Sequence, residues 1–303
     1  MGKRIKTCNK GHRGLLFFII VVGLVVGLWV WRKGYFATKL WGQGRYNVVF
    51  NYSSPVLVSV DANSQDMTVI VLPGDLYLPV SGDYGRYLLK NVYPLGELEK
   101  SGKRLLLETI SQAVGVPFSA IVTLDKTTGW QNIWEWLPKI KNTDLSLVDL
   151  ILVSKAMTFV RYDKVKTLTV SKENGLASDL VMGDGSTALE MNYDAFDQAT
   201  TGRFVYPEVL RGGELRVAVL NAGEVTGLGS KMSRMLSGMG FNPVSISDTI
   251  SPISGCEVVA GTKSLSSGSV GLVAKIFGCS LKEGNDPRVD FTIILRSLRL
   301  SVN

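Results

Sequence analysis

"LRVAVLNAGEVTGLGSKMSRMLSGMGF", Leu215–Phe241, decides how the C-terminal third of this 303-residue chain folds. It opens on a mostly apolar run of strand length, and glycines at 223, 227 and 229 then mark a turn. Leu228, Met232, Met235 and Met239 recur at spacings of four, three and four, which puts them on one stripe of a helix. Thr226 is the expected N-cap, and Lys231, Arg234 and Ser237 take the wet face. Gly240 sits where the helix closes in the left-handed conformation.

Strand, Gly-rich turn and helix, in that order, also outline a phosphate-cradling loop, in which amide N–H groups at a helix N-terminus meet an anion. The spacing excludes both nucleotide motifs. A dinucleotide fingerprint needs a third glycine where Met232 stands, and a Walker loop needs glycine at Leu228 and the order of Ser230 and Lys231 reversed. A tight strand-to-helix turn remains. Its free N–H groups at 225–229, with Asn221 beside them, offer a place for a carboxylate or sugar hydroxyl, so Asn221, Gly223, Gly227 and Gly229 are the candidate ligand-binding residues.

At the other end, "LLFFIIVVGLVVGLWVW", Leu15–Trp31, carries no charge. Its length reaches the roughly 17–25 residues that cross a bilayer as a helix, and Trp29 and Trp31 suit the interface. No small-residue cleavage site follows, so the expectation is an uncleaved signal-anchor over residues 15–33. Lys3, Arg4, Lys6, Lys10 and Arg13 precede it without an acid. By the positive-inside rule residues 1–14 stay cytoplasmic and everything after about residue 34 lies outside. Seven of the 33 Lys and Arg flank the span, leaving 26 against the 26 Asp and Glu. The exported part is formally neutral, and the pI of about 9.2 is topogenic rather than a sign of nucleic acid.

Inventory removes further classes. The single histidine, His12, is on the cytoplasmic side, so a Ser-His-Asp triad or a His-ligated metal is excluded outside. Nucleoside triphosphates are scarce there too, so no nucleotide partner is expected. Cys8 is cytoplasmic. Cys256 and Cys279 lie where a disulfide persists, and the sequence leaves open whether they pair or stay as two buried thiols.

Between these ends the chain alternates. Val56–Val60 and Met67–Leu72 flank "DANSQD" as a hairpin. A helix capped by Ser101 runs to Val114 and stops at Gly115; a strand follows over Val116–Asp125. "GWQNIWEWLP" (Gly129–Pro138) reads as an aromatic helix in which Trp130, Trp134 and Trp136 suit a core or a sugar platform. A longer helix over Asp144–Arg161, capped by Asp144, and a strand at Lys164–Val170 complete an α/β sheet covered by helices. Lys172–Gly213, rich in Gly, Asp, Ser and Thr, reads as a tail and linker with one helix near Tyr193–Ala199. The organisation expected is an α/β domain over 45–200, a linker over 201–213 and a smaller α+β domain over 214–300.

Two resemblances attach to these residues. "VLVSVDANSQDMTVIVLPGDLYLPV" and "YLLKNVYPLGE…LLLETISQAVGVPFSAIVTLD" resemble the LytR–CpsA–Psr family of membrane-anchored envelope proteins, and Glu214–Ser297, opening on the quoted stretch, resembles the LytR C-terminal domain. The first resemblance implies transfer of a lipid-pyrophosphate-linked glycopolymer to peptidoglycan, with an arginine cluster, an Asp and Mg²⁺ on the pyrophosphate. This chain departs from that pattern: in "LPGDLY" the motif arginine is Gly74, leaving Asp75, and only Arg86 and Lys90 lie near enough to substitute. Asp83, near Asp75, reads as part of a turn. The expectation is therefore a degenerate, cofactor-free envelope module that binds or organises cell-wall glycan or a protein partner. The alternative is a divergent transferase using Asp75, Arg86, Lys90 and Mg²⁺.

Overall fold

The computed structural model describes residues 44–301 apart from 52–53, 83, 125–137, 139, 224, 251–252, 254 and 285, together with Phe18, Val21 and Leu40. The expected span at 15–33, all but two of its residues, and the three tryptophans lie outside the described residues, as does Asp83. Among the described residues no helix is long and apolar enough to cross a membrane.

The first body is a six-stranded mixed sheet. Its strands are β1 (Arg45–Asn51), β2 (Val56–Asp61), β3 (Asp66–Val71), β6 (Ala120–Leu124), β7 (Ile140–Thr143) and β8 (Val165–Thr169), in the order β7-β6-β1-β2-β3-β8. A small hairpin, β4 (Tyr77–Pro79) and β5 (Arg86–Leu88), leads into α1 (Leu89–Glu97) and α2 (Gly102–Val114). Strand residues alternate between two cores. Val49, Leu57, Ile70 and Ile121 pack with α1 and α2, while Val48, Phe50, Val58, Val69 and Val122 pack with α3 (Leu147–Phe159). Both faces are covered, which is why these strands read as continuous apolar runs instead of alternating.

Local chemistry sets the helix ends. Gly115 closes α2 at φ 73°, where its lack of a Cβ removes the left-handed penalty. Ser101 does precede α2, but its hydroxyl donates to the Gly96 carbonyl instead of capping. For α3 the cap is Ser146 rather than Asp144: Ser146 Oγ accepts from the Asp149 N–H while Asp149 accepts from the Ser146 N–H, a reciprocal capping box. Asp144 is drawn away by Lys103 at 2.6 Å.

The stretch expected as a tail and linker with one helix near Tyr193–Ala199 has that helix, α4 (Tyr193–Thr200), and adds a hairpin before it, β9 (Ala177–Val181) and β10 (Thr187–Met191), and α5 (Pro207–Gly212) after it. Asp184 closes its turn by accepting from the Ser186 N–H and hydroxyl, with Gly185 at φ 81°.

The second body is a five-stranded sheet of β11 (Arg216–Asn221), β12 (Asn242–Asp248), β13 (Cys256–Ala260), β14 (Ser280–Glu283) and β15 (Phe291–Leu295), ordered β12-β11-β15-β13-β14. Helices α6 (Leu228–Met239), the short α7 (Thr262–Leu265) and α8 (Gly268–Phe277) accompany it. Leu228, Met232, Met235 and Met239 are all buried, so the stripe read from the sequence is core. Cys256 and Cys279 are disulfide-bonded with Cα atoms 4.4 Å apart, tying the start of β13 to the residue before β14.

Candidate functional site

The Gly-rich turn is organised from within. Asn221, at the end of β11, accepts from the Gly223 N–H at 3.1 Å and donates to Asp248 at 3.1 Å and to the Val225 carbonyl at 3.4 Å. A Cβ on Gly223 would meet the Arg296 carbonyl oxygen at 2.4 Å, so this glycine answers a close approach of two backbones. Gly227 is the N-cap of α6 at φ 78°, in place of Thr226, and no side chain caps the helix. Gly229 is buried against Ile246 and Val219. Asn221 therefore belongs to the turn itself. What the turn presents outward is an uncapped helix start.

That start borders a cleft of about 360 Å³ between the two bodies. Val225, Leu228 and Lys231 line one side, Arg104, Glu108 and Gln112 of α2 the other, and Ser297–Arg299 close it from the segment after β15. Glu108 lies at its base, 8 % exposed. Its Oε2 accepts from Ser81 Oγ at 3.0 Å, and Ser81 Oγ accepts in turn from Gln112 Nε2 at 3.0 Å. Oε1 has no partner of hydrogen-bond geometry. Burial pushes the Glu108 carboxyl above the ordinary glutamate value, opposed by the Ser81 hydrogen bond, by Arg104, by a hydrogen bond from the Leu300 backbone N–H and, least, by Arg299. Tyr84, at the rim, donates a short hydrogen bond to Glu99, which raises its phenol.

Beside the cleft the two bodies are clamped by Arg234. The sequence places this residue on the wet face of α6; the fold turns that face onto α2 and α4. Its guanidinium donates to both carboxylate oxygens of Asp197 at 2.7 and 2.5 Å and to the Gln112 and Ala113 carbonyls at 2.9 to 3.1 Å. It also lies over the Tyr193 ring, 5.1 Å from the centroid. The last carbonyls of α2 lack intrahelical donors, so a planar cation there satisfies them and complements the negative helix end. A second tie is Asn47, whose Nδ2 donates to the Pro117 carbonyl and to the buried Tyr206 hydroxyl.

The residues that the transferase reading needs sit on another face. Asp75 is exposed on the turn before β4, and Lys90 is exposed on the first turn of α1, its N–H donating to the Gly74 carbonyl. Arg86 is committed elsewhere: it pairs with Glu190 at 2.6 Å, donates to the Tyr77 carbonyl at 3.2 Å and covers the Tyr77 ring at 4.9 Å. Beneath this hairpin Leu72, Leu76, Leu78, Leu89 and Leu106 fill the interior with the chain's own side chains. Among the described residues no three His, Cys, Asp or Glu side chains converge to hold a metal ion. One carboxylate at Asp75 is a poor donor set for Mg²⁺.

Similarity to solved structures covers about half of the chain. A Bacillus subtilis protein described as the transcriptional regulator yvhJ shares 13% identity over 51% of this chain and 93% of its own, with a TM-score of 0.37. B. subtilis TagV shares 12% over 51% and 94%, with a TM-score of 0.39. A LytR-CPS2A-psr family protein, YwtF (TagT), solved with bound octaprenyl pyrophosphate lipid, shares 12% over 52% and 88%, also at 0.39. No curated protein sequence matches the chain. The family model described as LytR cell envelope-related transcriptional attenuator matches residues 214–297, the second sheet with its helices. Over those residues the chain carries a LytR C-terminal domain.

Proposed function

We propose that this is a membrane-anchored, extracytoplasmic cell-envelope protein that binds cell-wall glycan and does not transfer it. Residues 15–33 are the anchor in this reading, 45–200 the LytR–CpsA–Psr-like domain, and 214–300 the LytR C-terminal domain.

The observation that carries the reading is the state of Arg86. A pyrophosphate leaving group needs bidentate guanidinium clamps. Gly74 stands at the motif arginine, and the nearest arginine is already neutralised by Glu190 and stacked on Tyr77. The resemblance of 214–297 to an envelope domain supports the compartment.

The test compares two ligands on the full chain in detergent micelles. Retention on purified peptidoglycan sacculi is expected, with no Mg²⁺-dependent affinity for a polyprenyl pyrophosphate. Mg²⁺-dependent polyprenyl pyrophosphate binding that Arg86→Ala abolishes would establish the transferase alternative instead.

A further inference from the structure

We propose that the cleft between α2, the start of α6 and the 297–299 segment binds an anionic saccharide unit. Its acid group would sit on Arg104, Lys231 and Arg299. The inference rests on the glycan-binding reading and gives it a location.

Three observations converge. Arg104, Lys231 and Arg299 line one cavity from three different segments, and among the described residues none of them makes an ion pair. Like charges gathered around a single buried carboxyl leave net positive potential in a concave site, which an anion relieves. The uncapped start of α6 adds partial positive charge on the same wall.

The second observation is Glu108, the one acid among the described residues that line the cavity. Its Oε2 accepts from Ser81 and its Oε1 is closed off from solvent, and burial disfavours the charged form of this carboxyl. It therefore offsets the three cations only in part, and the cleft keeps an excess of positive charge.

The third is size and lining. A volume of about 360 Å³ is at the small end of ligand sites and suits one or two sugar rings. Ser81, which accepts from Gln112, holds the Glu108 carboxyl in place through Oε2. Leu105, Leu228 and Leu298 offer apolar wall for a ring face. The acid is a carboxylate or a phosphate; both match a guanidinium fork.

Calorimetric titration of the full chain in micelles tests this with three probes: N-acetylmuramic acid, an N-acetylglucosamine phosphate and neutral N-acetylglucosamine. At least one acidic sugar is expected to bind and the neutral one not to, and which acid binds identifies the source. Arg104→Ala and Arg299→Ala should each weaken binding about tenfold, the worth of one charge-assisted hydrogen bond, and inorganic phosphate should compete. Both side chains are exposed, so thermal melts should show these variants folded. Equal binding of neutral and acidic sugars, affinity unmoved by both substitutions, or no binding by any probe would overturn the cleft assignment. Sacculus retention measured alongside separates the two claims: retained protein with no probe binding leaves the wider reading standing and this one refuted.

Discussion

Replacing Arg234 with alanine removes five hydrogen bonds in one step, two to Asp197 and three to the α2 carbonyls. A hydrogen bond to a charged group is worth about 1.5–3 kcal/mol when buried. Arg234 is 25% exposed and Asp197 43%, so the ion-pair part is discounted for solvent. The α2 carbonyls lose a donor but regain water once the side chain is gone. The net expectation is a loss of about 2–3 kcal/mol. For a chain of this size that lowers the melting temperature by about 4–12 °C. Arg234→Lys should recover less than half, because an ammonium cannot fork onto Asp197 and the helix end together.

Differential scanning calorimetry of the full chain in micelles is the assay, with Asp197→Ala and the double variant completing a cycle. Because Arg234 joins bodies with separate cores, its loss should also broaden or split the unfolding transition. A coupling energy below about 0.5 kcal/mol, the level at which non-interacting sites simply add, would refute the clamp. So would a melting temperature for Arg234→Ala indistinguishable from that of Lys231→Ala, a neighbour with no ion pair among the described residues.

Three further outcomes follow from the same geometry. Gly223→Ala should destabilise the chain by about 1–3 kcal/mol in urea unfolding, the range for overpacking, because its new Cβ meets the Arg296 carbonyl; a neutral result would return this glycine to the list of ligand-binding residues. Reducing the Cys256–Cys279 bond should cost about 3 kcal/mol from the freed loop, read as a lower melting temperature in dithiothreitol that Cys256→Ser reproduces and reductant no longer affects. Glu108 has a raised pKa in the folded state, so the native chain holds its proton more tightly than the unfolded one. Its contribution is therefore fully present below the ordinary glutamate pKa of about 4.3 and is lost as pH rises through the folded value. Glu108→Gln should gain melting temperature relative to the parent as pH rises from 4 to 7, and parallel profiles would refute the burial.

Much of the fold is legible along the chain because it follows from local periodicity. The methionine stripe of α6 is buried as its spacing dictates, and Gly115 and Gly240 close their helices in the left-handed conformation. The β2–β3 hairpin forms around Asp61–Asp66. Where the sequence reading and the structure part, the deciding signal is short. Ser146 and Asp149 form a four-residue capping box that the broader acidic start at Asp144 obscures. The β9–β10 hairpin hides in a polar stretch because it carries few apolar side chains; the Asp-Gly pair at 184–185 is its one marker.

The site divides differently. Sequence alone singles out the Gly-rich turn, excludes its nucleotide readings and, through the resemblance to the LytR–CpsA–Psr family, puts Gly74 where that family has an arginine. None of these depends on distant neighbours. That Arg86 is committed to Glu190, 104 residues away, and that Arg234 clamps Asp197 and α2 are products of packing. So is the meeting of Arg104, Glu108, Lys231 and Arg299 around one cleft. Those residues come from segments up to nearly 200 positions apart. Periodicity tells which side of a helix is wet or dry, but only the docking of one body on another decides which wet face becomes an interface and which is left lining a cavity.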